Sequence, residues 1–339
     1  MLLLASFFWG STFIIQSDGA SKLPTFTFLA CRSFVGAVAL WIIVALRGAI
    51  LKGRGKLPVC ADAATKKAKV RHYLISGLAV GAVLTVAAMF QQEGIARGAT
   101  AGEAGFLTAL YMFFVPLYCF VLYRKKLQMN LFAGAVLMAA GLYFICIYEK
   151  GWSSIGGGHI FILISAVTYA AHIVMIDRFK DVDGMTLSAM QFTVVAAISG
   201  VAALIFDRGI AFTQIVSASF PILYAGLFSS AVGFTLQIYG QQNAPPTLAT
   251  IVMSLESVIA LLCEWGCGML GILGVERGRV ELTPVKIVGC LLAFAGIVTA
   301  QLSFGAFFRS TGRKKRAAAP AEKAEGDAPE AARDPAEKE

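Results

Sequence analysis

Residues 73–92 and 131–148 run for 20 and 18 positions without one charged side chain. Each run is about long enough to cross the ~30 Å hydrocarbon core of a bilayer as a helix. Several such runs in one chain constrain its fold more than any motif does. Only 14% of the 339 residues are charged and 58% are apolar, against roughly 25% charged in soluble domains. The sequence therefore predicts one compact membrane-embedded unit of many helices, not two soluble domains, with lipid as well as a core taking up the apolar surface.

The most informative run is 247–270, which reads as a single long membrane helix. Glu256 lies nine residues into it, close to the centre of the slab at ~1.5 Å per residue. An ionised carboxylate at that depth costs several kcal/mol, so it is expected to face a cavity or a partner. Ala249, Met253, Glu256, Ala260, Cys263 and Cys267 recur at steps of three and four and form one small or polar stripe. Ile251, Leu255, Val258, Leu262, Trp265 and Met269 form the bulky opposite stripe, suited to lipid. Two uses of Glu256 stay open at this point: a hydrogen bond to a neighbouring helix, or handling of a ligand or proton.

Helices are expected at about 2–17, 24–46, 73–93, 101–122, 129–148, 157–178, 185–206, 220–242, 247–271 and 283–305. Pro24 and Pro284 open helices, where a missing N–H costs little, and Pro116 is expected to kink the fourth. With the N-terminus inside, 21 of the 29 basic residues fall on inner segments and six on outer ones, so both termini are expected in the cytoplasm. The net charge of +9 then reports topology, and no nucleic-acid partner is implied. Met1 opens directly into apolar sequence, with no basic stretch and no cleavage site, so no signal peptide is expected. The seven cysteines show no metal-ligand spacing. Residues 47–72 read as a flexible basic inner linker. Residues 306–339 read as a basic, then disordered, cytoplasmic tail, with too few apolar residues to fold.

The chain also repeats itself. Leu127, Gly134 and Gly141 match Leu282, Gly289 and Gly296 at a constant shift of 155, and residues 100–111 align with 245–256 at a shift of 145. Gln91 and Gly94 match Gln237 and Gly240. Ala5, Trp9, Thr12 and Gln16 match Ser165, Tyr169, His172 and Ile176 at a shift of 160, and Ala30–Arg32 matches Ala189–Gln191. Each half, 1–148 and 157–305, would hold five helices. Five is odd, so the second half enters the membrane from the opposite face. The predicted fold class is an all-α integral membrane protein of ten transmembrane helices in two inverted-topology five-helix repeats, an architecture of transporters with the solute near the midplane.

Trp9-Gly10-Ser11, the Pro24 to Arg32 element, 104–111 (Ala-Gly-Phe-Leu-Thr-Ala-Leu-Tyr), Val115-Pro116-Leu117, Ser254-Leu255-Glu256 and the Gly289 to Gly296 helix together resemble the drug/metabolite transporter superfamily, EamA type. The resemblance covers about residues 1–305. It implies the ten-helix inverted-repeat fold and a permease that carries small metabolites across a bacterial inner membrane, commonly as an exporter. The chain departs from the family pattern at Ser257, where proline is frequent, and at Arg124-Lys125-Lys126, where an acidic residue often closes the helix.

The candidate substrate-binding or coupling residues are Glu256, Arg32, Trp9, Thr12, Gln91, Tyr111, Tyr169, His172, Gln237 and Ser254. Arg32 needs a carboxylate, carbonyls or an anionic ligand at its depth, and Glu256 is a candidate partner. It serves either as a ligand anchor or as half of a structural ion pair. Trp9 and Thr12 share a stripe with Gln16, and Tyr169 and His172 form the matched stripe. These stripes either grip a polar solute or pack with polar glue. Glu264 either lines an exit path or sits near headgroups.

The function expected is secondary transport of a small amino-acid-like metabolite by alternating access, with protons as candidate co-substrate, acting as a monomer or a homodimer in lipid. The alternative is a non-transporting membrane subunit or sensor. No G-x-x-x-x-G-K-[ST] loop supports ATP-driven transport. No H-E-x-x-H or G-x-S-x-G pattern supports an enzyme, and no cofactor is expected.

Overall fold

A computed structural model of the chain describes residues 1–54, 63–124, 129–148, 151, 155–273, 275 and 283–301. The helices, in order, are α1 (Leu2–Lys22), α2 (Thr25–Gly53), α3 (Ala63–Ala96) and α4 (Ala101–Tyr123). Next come α5 (Met129–Leu142, prolonged by a π turn, Tyr143–Ile147), α6 (Gly157–Arg178) and α7 (Gly184–Phe206). They are followed by α8 (Ser219–Gln242), α9 (Pro246–Leu270) and α10 (Pro284–Gln301). A short helix, Phe212–Ser217, leads into α8. No strand occurs among the described residues.

Seven of these helices, α2, α3, α4, α6, α7, α8 and α9, are long and apolar enough to cross a membrane. Their exposed side chains are large and apolar, as at Leu204, Phe206 and Leu270, which are 69–81% exposed. Such a belt needs hydrocarbon around it. The chain is a multi-pass membrane protein.

α1 is long but less apolar, because it lies inside the protein. It packs against α9, α8, α3 and α4 and buries Ser6, Thr12, Gln16 and Asp18. Its polar groups are matched locally: Ser6 Oγ donates to the Val252 carbonyl at 3.0 Å, and Lys22 binds Asp18 at 2.7 Å. Around α1, α2 lies along α7, α3 along α6, and α5 along α10.

The span expected at 247–270 is present as α9, but it and α4 each carry an interruption that the sequence reading did not include. α4 is Ala101–Ala109 then Tyr111–Tyr123, and α9 is Pro246–Met253 then Glu256–Leu270. At each break the ladder tightens to i→i−3 bonds: Leu110 N–H to Leu107 O (3.2 Å) and Leu255 N–H to Val252 O (3.4 Å). Leu110 and Leu255 have nearly identical backbones, φ −59°, ψ −16° and φ −60°, ψ −16°. Pro116, expected to bend α4, sits inside its second piece.

The two faces of α9 separate largely as its sequence predicts. Ala249, Met253, Glu256 and Ala260 are buried, while Leu262, Trp265 and Met269 are exposed; Ile251 is the exception and is buried. The expected 47–72 linker is shorter than predicted, since α2 runs on to Gly53 and α3 starts at Ala63. The expectations for Lys125-Lys126 and for the tail 306–339 lie outside the described residues.

Candidate functional site

The two breaks flank a cavity at the middle of the bundle. Each delivers the first residue of its second helical piece to the cavity wall: Tyr111 from α4 and Glu256 from α9. α1 contributes Trp9 and Gln16, α2 contributes Arg32, α3 Gln91, α6 Tyr169, and α8 Gln237. The cavity has about 600 Å³ of atom-free space, counting the part open to solvent. It is narrow and lined mainly by aromatic and aliphatic groups.

The charged pair predicted from sequence is brought into one cavity but not into contact. Arg32 is 5% exposed and its Nη1 donates to Gln16 Oε1 at 3.0 Å. The guanidinium carbon lies 5.7 Å from the Phe28 ring centre. Glu256 is 2% exposed, with the Tyr111 phenol beside it. Among the described residues no ion pair joins Arg32 to Glu256. The partner expected for Arg32 is therefore corrected to Gln16, a residue of the same α1 stripe as Trp9.

The remaining polar wall is ordered by its own hydrogen bonds. Tyr169 donates to Gln91 Oε1 at 3.2 Å, and Gln91 Nε2 donates to Thr108 Oγ1 at 3.1 Å. Three lining residues nonetheless keep a buried polar atom without a protein partner: Trp9 Nε1, Arg32 Nε and Gln237 Oε1, while the Tyr111 phenol faces the Glu256 carboxylate. Buried polar atoms are nearly always matched in folded proteins. A group of donors and acceptors left over around one cavity is what a polar solute would complete.

Three predicted residues do not line this cavity. Thr12 Oγ1 is turned back to the Phe8 carbonyl at 2.5 Å. His172 is fully buried and bonds Gln191 at 3.1 Å. Ser254 Oγ donates to the Ile251 carbonyl at 2.8 Å, within its own helix. In an apolar environment a hydroxyl gains most by bonding the carbonyl one turn back, so Thr12 and Ser254 serve their own helices, while His172 ties α6 to α7. Glu264 is likewise structural: its Oε2 accepts the Gly102 N–H at 2.6 Å, a donor of the first α4 turn that has no helical acceptor.

Sequence reasoning left Gln16 off the candidate residues and missed Thr108, Ser229 and Ser230, which also line the cavity. Gln16 carried a signal, its place in the Trp9 stripe. The two serines carried none, because their position depends on a local change in helix type. Among the described residues no cluster of three or more His, Cys, Asp or Glu is arranged to hold a metal ion.

Comparison with known proteins agrees with this architecture. The model of the EamA-like transporter family matches residues 1–147 and 156–302. An uncharacterized transporter of Archaeoglobus fulgidus is 23% identical over 89% of this chain and 84% of its own length. YoaV of Bacillus subtilis, also an uncharacterized transporter, is 22% identical over 89% of this chain and 96% of its own. YedA of Escherichia coli, an uncharacterized inner membrane transporter, is 26% identical over 83% and 84%. A solved crystal structure shares the fold at a TM-score of 0.63 and 17% identity, covering 89% of this chain and 95% of the other. The chain belongs to the EamA-like transporter family.

Proposed function

We propose that this EamA-family membrane transporter is a secondary carrier of a small amino-acid-like solute. It works by alternating access, exporting across a bacterial inner membrane with both termini in the cytoplasm. The observation that carries this reading is the central cavity, where an arginine and a glutamate stand apart from one another among aromatic rings. An apolar cavity with one cation, one anion and unmatched donors and acceptors suits a compact zwitterion with an apolar side chain.

The inverted halves, 1–148 and 157–305, are part of the same proposal. Close helix approaches that recur at the shifts read from the sequence support them. Gly94 lies against Ile162, and its counterpart Gly240 lies against Leu2, the counterpart of Ile162. Gly81 approaches the Gln191 carbonyl and Val194, while Gly226 approaches the Arg32 carbonyl and Val35. Gly141 meets the Gly289 carbonyl, and Gly296 meets the Gly134 carbonyl. The equivalent breaks at Leu110 and Leu255 complete the pattern. Two halves that rock about a shared cavity alternate its access.

Glu256 is the proposed proton-coupling group, since it is the buried carboxylate of the cavity. The test is flux of a labelled amino-acid and nucleoside panel in vesicles holding the purified protein, with and without a pH gradient. Gradient-dependent movement of an amino acid supports the reading. Movement of nucleosides alone would overturn the solute class, and no flux of any panel member would overturn transport of either class.

A further inference from the structure

The nine residues Ala225–Gly233 of α8 form a π-helix, with the Phe234 N–H reaching back five residues to the Ser229 carbonyl. The matching stretch of α3 is regular α-helix. A π segment is what one inserted residue produces inside an α-helix, and the chain carries the trace of that insertion. At the start of the segment, Gly81 corresponds to Gly226 at a shift of 145. After it, Gln91 pairs with Gln237 at a shift of 146. α3 lines the cavity with Leu84, Ala88 and Gln91, and α8 lines it with Phe234 and Gln237 at the places of the last two. Where α3 offers Leu84 alone, α8 offers two residues, Ser229 and Ser230.

These serines stand on the Arg32 side of the cavity. α2 and α8 cross through two glycines: Gly226 meets the Arg32 backbone, and Gly36, one helical turn along α2, meets Ser230 Cβ. Arg32 has one nitrogen held by Gln16, while Nε has no protein partner. Among the described residues neither serine hydroxyl hydrogen-bonds a protein group, and both residues line the cavity. Leu84, by contrast, belongs to an apolar cluster with Phe192 and Val195.

We propose that Arg32, Ser229 and Ser230 form a carboxylate subsite, built by the one-residue insertion in α8, that selects acids over their neutral analogues. The guanidinium supplies charge and a planar fork of donors, and the hydroxyls supply donors for the remaining lone pairs. This inference rests on reading the cavity as the solute site.

The experiment is equilibrium binding to the purified full chain in detergent, using acid and amide pairs: L-leucine with L-leucinamide, and benzoate with benzamide. The wild-type chain is expected to bind the acid of at least one pair about tenfold or more tighter than the amide, the scale of hydrogen bonds to a charged group. Ser229→Ala with Ser230→Ala is expected to reduce acid affinity about tenfold while moving amide affinity less than about twofold. Ser229→Thr, which keeps a hydroxyl, is expected to retain most of the preference. Equal affinity for acid and amide in the wild-type chain, including binding of neither, overturns the subsite without needing any variant. So does an acid preference that survives in the double alanine variant. Acid preference without vesicle flux would instead overturn the transport reading and leave the subsite standing.

Discussion

A single methyl group at the α5–α10 crossing is predicted to cost more than its size suggests. A Cβ built on Gly141 lies 2.6 Å from the Gly289 carbonyl oxygen and 2.7 Å from the Ala293 nitrogen. Both are backbone atoms of α10, so no side chain can turn aside. The contact is about 0.8 Å short of the 3.4 Å at which ordinary van der Waals contact begins. The helices must therefore separate by most of that distance, and a gap of ~0.5–1 Å forfeits a quarter to a half of the dispersion energy between neighbouring atoms. Gly141→Ala is expected to destabilise by about 1–3 kcal/mol, the range for overpacking, against a gain of up to ~1 kcal/mol from helix propensity. Gly296→Ala, whose Cβ would lie 2.7 Å from the Gly134 carbonyl, should cost about the same. Gly200→Ala on α7, with nothing within 4 Å, should be neutral or stabilising. The assay is reversible unfolding in mixed micelles, with all three variants measured under one condition. The double variant should lose less than the sum, because helices already parted by one methyl have room for the second. Gly141→Ala unfolding together with Gly200→Ala would refute the close-packed crossing.

Three further outcomes follow from particular contacts. Glu264→Ala leaves the Gly102 N–H without its side-chain acceptor and should cost about 1–3 kcal/mol in the same assay, while Glu264→Gln, which keeps a carbonyl oxygen, should cost less. Asp183 caps α7 through the Thr186 N–H at 3.0 Å and accepts from Arg47 at 2.8 Å; burial raises its carboxyl, but the Thr186 and Arg47 bonds outweigh burial and hold it below its ordinary range. A carboxyl held lower in the folded chain adds stability that is present above its unfolded value, near pH ~4, and lost as pH falls through the folded value. Asp183→Ala should therefore cost about 1 kcal/mol at neutral pH, and unfolding scans from pH 6 to 3 should show its gap to the wild type closing at the acid end. Glu256→Gln should flatten the pH dependence of vesicle flux, and an unchanged profile would remove the proton from the proposed mechanism.

What the sequence determined by itself was the partition between lipid and protein. Helical periodicity reports which face of one helix is buried, because neighbours at three and four residues are fixed by local geometry. The buried Glu256 stripe and the exposed Leu262 face of α9 follow from it. Seven of the ten candidate residues reach the cavity for the same reason: Trp9, Arg32, Gln91, Tyr111, Tyr169, Gln237 and Glu256.

Only the tertiary structure decided which polar groups meet. Arg32 goes to Gln16 and not to Glu256. Thr12, His172 and Ser254 turn away into bonds of their own. Such choices depend on distances between helices far apart in the chain, which periodicity does not encode. The breaks at Leu110 and Leu255 and the π segment that presents Ser229 and Ser230 are backbone events about one residue in size. Each shifts the direction of a side chain by a fraction of a turn without changing composition or hydropathy. Their energy is repaid by packing across the bundle, so they become legible only once the helices are assembled.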